Sequence, residues 1–141
     1  MQQPKIIEGN FFTDTRGTIV FNNSFDASEI KRIYIINNSS VDFKRGWQGH
    51  QIEQRWFSAL NGSFCIKLIK IDNWEFPSRN LECLEFFISN KSLDVLHVPE
   101  GYISCIKAIE KDSKLLVMAN YSLGELVDEY RFKLNYFKNG F

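Results

Sequence analysis

The sequence predicts an all-β fold, a sandwich or barrel, and three observations carry that expectation. Thirteen Phe, five Tyr and three Trp in 141 residues favour strands over helices, because aromatic side chains fit a pleated, half-buried surface. Short runs of β-branched and aromatic residues recur along the chain, each bounded by Gly, Asn, Pro, Asp or Ser. Asn61-Gly62 lies between two such runs and is the strongest hairpin signal present, since both residues tolerate the positive φ of a primed turn.

The elements follow in chain order. Strands are expected over 18–21, 32–36, 55–60, 64–71, 84–88, 95–98, 103–109 and 115–119. Turn residues separate them, at Asn22-Asn23-Ser24, Asn37-Asn38-Ser39-Ser40, Asn61-Gly62-Ser63, Pro77-Ser78 and Pro99-Glu100-Gly101. One helix is expected near the end. Ser122 and Glu125 have capping-box spacing, and Leu126 and Tyr130, four apart, share a face of a helix running to about Arg131. Gly124 is the poor helix former within it. No repeat, linker or low-complexity tract divides the chain, so one domain over 1–141 is expected.

Charge and cysteine usage exclude several classes. Seventeen basic and seventeen acidic residues give no net charge, and no Lys/Arg run reaches five, so nucleic acid and anionic membranes are not expected partners. No apolar stretch approaches the ~20 residues that cross a bilayer as a helix. Met1-Gln2-Gln3-Pro4-Lys5 lacks the hydrophobic core of a secretory signal. Cys65, Cys83 and Cys105 are odd in number and have no CxxC spacing, which fits neither a disulfide framework nor a zinc knuckle. A soluble cytoplasmic protein is expected.

Only two histidines are present. His97 lies in the apolar run Val95-Leu96-His97-Val98 and reads as a packed strand residue. His50 lies in Arg45-Gly46-Trp47-Gln48-Gly49-His50-Gln51-Ile52-Glu53-Gln54-Arg55, which is dense in polar groups. An extended backbone there puts Gln48, His50 and Ile52 on one face and Trp47 and Gly49 on the other. Two readings stay open: a ligand site in a barrel mouth or a solvated hairpin rim. A His-x-His…Glu metal pattern is incomplete, because Gln48 holds its first position. His50 and Glu53 alone fall short of the three or four ligands a transition metal takes, so no metal is expected. No Gly-x-Ser-x-Gly elbow, cysteine signature or phosphate loop occurs. Acid–base chemistry by His50 remains, since imidazole both accepts and returns a proton near neutral pH.

Asp14-Thr15-Arg16-Gly17, Ile30 to Ile36, Arg45 to His50, Glu53-Gln54 and Leu60-Asn61-Gly62-Ser63 occur in an order that resembles the nucleotide-sugar 3,4-ketoisomerases. These WxcM-like cupins act on dTDP-4-keto-6-deoxyglucose and are related to the dTDP-4-dehydrorhamnose 3,5-epimerases. Val98-Pro99-Glu100-Gly101-Tyr102, Ala119-Asn120-Tyr121 and Tyr130-Arg131-Phe132 are similar as well, so the likeness runs from about residue 6 to 137. It implies a double-stranded β-helix (a cupin jelly roll), usually a homodimer, that holds a nucleoside-diphosphate sugar without metal. It also implies His50 as proton carrier and Tyr34 as catalytic tyrosine. Two positions depart from the pattern. Gln48 replaces the first histidine of the ketoisomerase pair, also the epimerase base, and Ser104 stands where epimerases often carry histidine.

The implied reaction is a tautomerisation, so no cofactor is expected. Neutral His50 removes the C3 proton of a 4-keto sugar, a donor stabilises the C4 oxygen, and the enediol takes a proton at C4 while Tyr34 exchanges the oxygen proton. Such catalysis contributes about 10²–10⁴-fold. Arg45 is the expected diphosphate ligand, its planar guanidinium matching phosphate oxygens; Arg55 and Lys31 are rim charges that serve as second candidates. Glu53 would orient His50 or bind a hydroxyl, and Gln48 would hydrogen-bond the sugar. Arg32 shares a strand face with Tyr34, and Trp47 or Tyr121 would stack on the base or line the pocket. A 3,5-epimerase, or a cupin that binds the sugar nucleotide without turning it over, are the alternatives.

Overall fold

The computed structural model describes residues 2–140, so Met1 and Phe141, the ends of the expected domain, lie outside the described residues. Twelve strands form: β1 (Lys5–Ile7), β2 (Asn10–Asp14), β3 (Gly17–Phe21), β4 (Arg32–Asn38), β5 (Lys44–His50), β6 (Arg55–Asn61), β7 (Ser63–Lys70), β8 (Cys83–Ser89), β9 (Val95–Val98), β10 (Tyr102–Ala108), β11 (Ser113–Ala119) and β12 (Glu129–Arg131). They build two five-stranded sheets, ordered β1-β9-β6-β11-β4 and β12-β5-β10-β7-β8, and a separate hairpin of β2 and β3. Every pairing is antiparallel. From β4 onward the chain keeps crossing between the two sheets, which is jelly-roll winding. No helix forms among the described residues, so none is long and apolar enough to cross a membrane.

Alternation explains the core. Along β7, Phe64, Ile66 and Leu68 are fully buried between the sheets, each contributing about 1.5–3 kcal/mol by leaving water. Phe57, Leu96 and Val117 meet them from the facing sheet. The β5-β10-β7 sheet carries a second cluster: Ile69, Ile103, Cys105 and Trp47 are covered by Phe132, Tyr136 and Phe137 of the C-terminal segment. That segment locks onto β5 through reciprocal main-chain bonds between Trp47 and Phe132, 3.2 and 2.9 Å.

Each of the eight expected strands is present within a residue or two of its predicted bounds, but two local expectations change. Asn61-Gly62 does not close a hairpin. β6 and β7 lie in different sheets, and the dipeptide turns the corner between them. The expected helix after Ser122 is absent. Glu125 Oε1 does accept from the Ser122 amide at 3.0 Å, yet Gly124 sits at φ 82°, which ends the helical path one turn in. Residues 129–131 then pair with 48–50 of β5 instead.

β5 carries a bulge. Opposite it, β10 advances two residues from Ser104 to Ile106 while β5 advances three, from Gln48 to Arg45. The extra residue resets the alternation, so Arg45, Gln48 and His50 all line the space between the sheets.

Candidate active site

A cavity between the two sheets is lined by Tyr34 from β4, Arg45, Gln48 and His50 from β5, Arg55 from β6, Tyr102 and Ser104 from β10, Arg131 from β12 and by Glu53. Six of the ten residues given candidate roles in the sequence therefore meet: Tyr34, Arg45, Gln48, His50, Glu53 and Arg55. Arg32 lines the adjoining cleft, which shares His50, Glu53 and Arg55 as its wall. Its guanidinium lies 4.7 Å from the centre of the Tyr34 ring.

Trp47 and Tyr121 are elsewhere. Trp47 is 1% exposed and packs edge-on against Phe137, 5.7 Å between centroids, so it is core rather than a stacking surface. Tyr121 lines neither the cavity nor the cleft; Lys31 lies over its ring at 5.8 Å. Ile52 is past the end of β5 and exposed.

His50 is buried, with 8% exposure. Its Nδ1 lies 3.1 Å from the main-chain oxygen of Asp128 and 3.4 Å from Glu53 Oε2. A carbonyl oxygen only accepts, so Nδ1 holds the proton of the neutral ring and Nε2 is left as the basic nitrogen. Burial pushes the imidazole below its usual 6.5; the Arg55 charge pushes the same way, while Glu53 and Asp128 oppose. The ring is thus neutral at neutral pH, as a base must be.

Glu53, expected to orient His50 or bind a hydroxyl, and Arg55, expected as a rim charge, form an internal chain. Arg55 donates from Nη2 and Nε to Glu53 Oε2 at 2.6 and 3.0 Å, and from Nη1 to the Tyr34 hydroxyl oxygen at 2.7 Å. Their side chains are only 9% and 11% exposed. The phenol accepts from Arg55, so its own hydrogen is free to point at a ligand oxygen. Arg45 forms no ion pair among the described residues, whereas the Gln48 amide donates to Glu129 Oε1 at 2.6 Å.

His97 is a packed residue. It stacks on Trp56 at 4.9 Å, and its Nε2 meets Gln54 Oε1 at 2.6 Å. The cysteines are poor nucleophiles, because burial raises all three thiols, Cys105 to about 12. No group of three or more His, Cys, Asp or Glu among the described residues could hold a metal ion.

Sequence reasoning missed Arg131, Tyr102 and Asp128. Arg131 falls at the end of the expected helix, and Tyr102 closes the Val98-Pro99-Glu100-Gly101-Tyr102 stretch. Asp128 meets the site from 78 residues away, with no local pattern to mark it.

Residues 2–139 match the family described as WxcM-like, C-terminal (FdtA). No curated protein matches significantly. Among solved structures, the fold is similar to QdtA, a sugar 3,4-ketoisomerase from Thermoanaerobacterium thermosaccharolyticum in complex with TDP. The TM-score is 0.68 and the identity 23%, over 97% of this chain and 93% of that one. It is also similar to the WlaRB TDP-quinovose 3,4-ketoisomerase from Campylobacter jejuni, with TM-score 0.69 and 21% identity over 99% and 100%. A dTDP-4-dehydrorhamnose 3,5-epimerase from Elizabethkingia anophelis gives TM-score 0.73 and 16% identity over 95% and 77%.

Proposed function

The chain belongs to the WxcM-like, C-terminal (FdtA) family, and from that premise we propose that it isomerises a nucleoside-diphosphate 4-keto-6-deoxyhexose to the 3-keto sugar. The observation that carries this reading is the joined arrangement of a neutral, buried imidazole and a phenol in one cavity. They are linked as His50–Glu53–Arg55–Tyr34. The similar folds of ketoisomerases that act on TDP sugars support the choice of substrate class.

The carbonyl at C4 acidifies the C3–H bond. His50 Nε2 takes the C3 proton, and charge moves onto the C4 oxygen, which receives a proton from the Tyr34 hydroxyl. The C3 hydroxyl then gives its proton to the Tyr34 phenolate as the C3–O double bond forms, and the imidazolium returns a proton to C4. Atoms balance without an oxidant, because the ketone and the alcohol exchange places. Glu53 lies against Nδ1 and steadies the transient positive charge on the ring. Arg55 holds the Tyr34 oxygen in place. Arg45, which forms no ion pair among the described residues, takes the diphosphate, and Arg131 lies in the same cavity to assist.

A 3,5-epimerase is disfavoured by Gln48 and Ser104. Neither amide nor hydroxyl abstracts a carbon-bound proton, and the Gln48 amide is already engaged by Glu129.

The working unit in this proposal is a single cupin domain that pairs as a homodimer in the cytoplasm, a compartment that keeps the three free thiols reduced. The β2–β3 hairpin supports the dimer. It pairs with neither main sheet, and exposes Phe11 and Val20 as one cross-strand pair, Phe12 and Ile19 as the next. A lone two-stranded sheet is marginal in water, so a second copy of the chain is its natural cover.

Incubation with dTDP-4-keto-6-deoxyglucose, followed by proton NMR, tests the function. A 3-keto sugar is expected. Exchange at C5 without a 3-keto product would replace the proposal with an epimerase, and an unaltered sugar that still binds would leave a non-catalytic cupin.

A further inference from the structure

We infer that Asp128 is a positioning residue for His50: one buried side chain anchors the turn after β5 and thereby fixes the ring's tautomer and the place of Glu53. β5 ends at His50, and the next three main-chain amides leave the sheet. All three converge on one carboxylate. Asp128 Oδ1 accepts from Gln51 at 3.1 Å, and Oδ2 accepts from Ile52 at 2.9 Å and from Glu53 at 2.8 Å. Asp128 is 6% exposed, so these bonds form largely out of water. There an unpartnered amide is costly, and a charge-assisted bond is about twice as strong as a neutral one.

The consequence for the site is geometric. The carboxylate of Asp128 is tied to residues 51–53, so its main-chain oxygen cannot drift from His50 Nδ1, 3.1 Å away. The amide of Glu53 hangs on the same carboxylate, so the Glu53 side chain is set relative to the same reference. Two groups three residues apart are thus placed against one residue about 75 positions downstream. Arg55 fixes Glu53 from the other side, through its carboxylate. No other acidic side chain among the described residues accepts from three consecutive amides of this turn. An Asn at 128 would keep the shape but present an amide nitrogen, a donor, to at least one of these N–H groups. A misplacement of the base by about 1 Å costs on the order of 10²-fold in rate.

The catalytic part of this inference rests on His50 being the base proposed above; the structural part does not. Nitrogen-15 NMR of the histidine rings near neutral pH separates the two. Only two histidines are present, and a His97→Gln variant assigns the remaining signal to His50. The parent protein is expected to show the Nδ1–H tautomer. In Asp128→Asn the two ring nitrogens are expected to move toward one averaged signal. Turnover should fall about 10²-fold, with KM changed less than about threefold on the same account. Asp128→Glu, which keeps the charge but displaces it by a methylene, serves if Asp128→Asn does not fold, and the same ring response is expected. An Nε2–H tautomer in the parent, or an unchanged ring signal in a folded variant, overturns the inference. A ring that responds in a protein that does not turn over the keto sugar leaves the positioning role standing and removes the ketoisomerase reading.

Discussion

Arg55 Nη1 donates to the Tyr34 hydroxyl oxygen at 2.7 Å, while the other edge of the same guanidinium holds Glu53 at 2.6 Å. One planar fork therefore spaces the phenol from the carboxylate that lies against His50. Lysine has no second edge with which to bridge them.

Arg55→Lys is accordingly expected to keep the fold and lose most turnover. Arg55→Ala leaves the buried Glu53 charge unpaired and should cost about 3–5 kcal/mol. Urea unfolding checks the second expectation and steady-state kinetics the first. A lysine variant with parental turnover would show that the bridge is not needed.

The pH dependence follows from His50. Burial lowers its folded-state value below 6.5, so activity that needs the neutral ring is retained below pH 6.5 and falls off only on further acidification. Stability has the same sign. As pH falls through 6.5 the unfolded chain takes up protons that the folded His50 and His97 refuse, since burial lowers both. Folding stability is therefore lost on the acid side and recovered as pH rises through that window. Urea melts on either side of pH 6.5, repeated with His97→Gln, measure each contribution.

Gly49 has no room for a side chain. A Cβ there would lie against the Tyr102 carbonyl oxygen and 2.5 Å from Ile103 Cα. Gly49→Ala should push β5 from β10, destabilise by about 1–3 kcal/mol and weaken nucleotide binding with it, as calorimetry and dTDP titration would record.

Phe12 and Ile19 face each other across the exposed hairpin. Placing lysine at both positions should leave the core intact and convert the proposed dimer to monomer in sedimentation velocity. Unchanged sedimentation would move the interface elsewhere.

How much of this was readable in the sequence differs by residue. The eight expected strands were legible because their apolar runs and turn residues are local. β12 was not, because its partner is β5, about 80 residues away, and because Ser122 and Glu125 do form the bond that a helix start would show. Asn61-Gly62 is a real turn, but no local feature says whether two strands rejoin in one sheet or separate into two. At the site, the family resemblance marked His50 and Tyr34 as candidates, and both line the cavity. That Arg45 shares a face with Gln48 required the bulge, which alternation alone denies. Arg55 looked like a rim charge because pairing and burial are tertiary facts, and Asp128 acts through a main-chain oxygen that any residue carries.

The central claim is that His50 moves the proton between C3 and C4. Its most direct test is turnover of dTDP-4-keto-6-deoxyglucose in D₂O by the parent, His50→Asn and Tyr34→Phe, followed by proton NMR with dTDP binding measured alongside. The account predicts a 3-keto product carrying deuterium at C4 from the parent. It predicts none from His50→Asn, although that variant still binds dTDP, and a much slower reaction from Tyr34→Phe. A His50→Asn protein that forms the deuterated 3-keto sugar at the parental rate would contradict it.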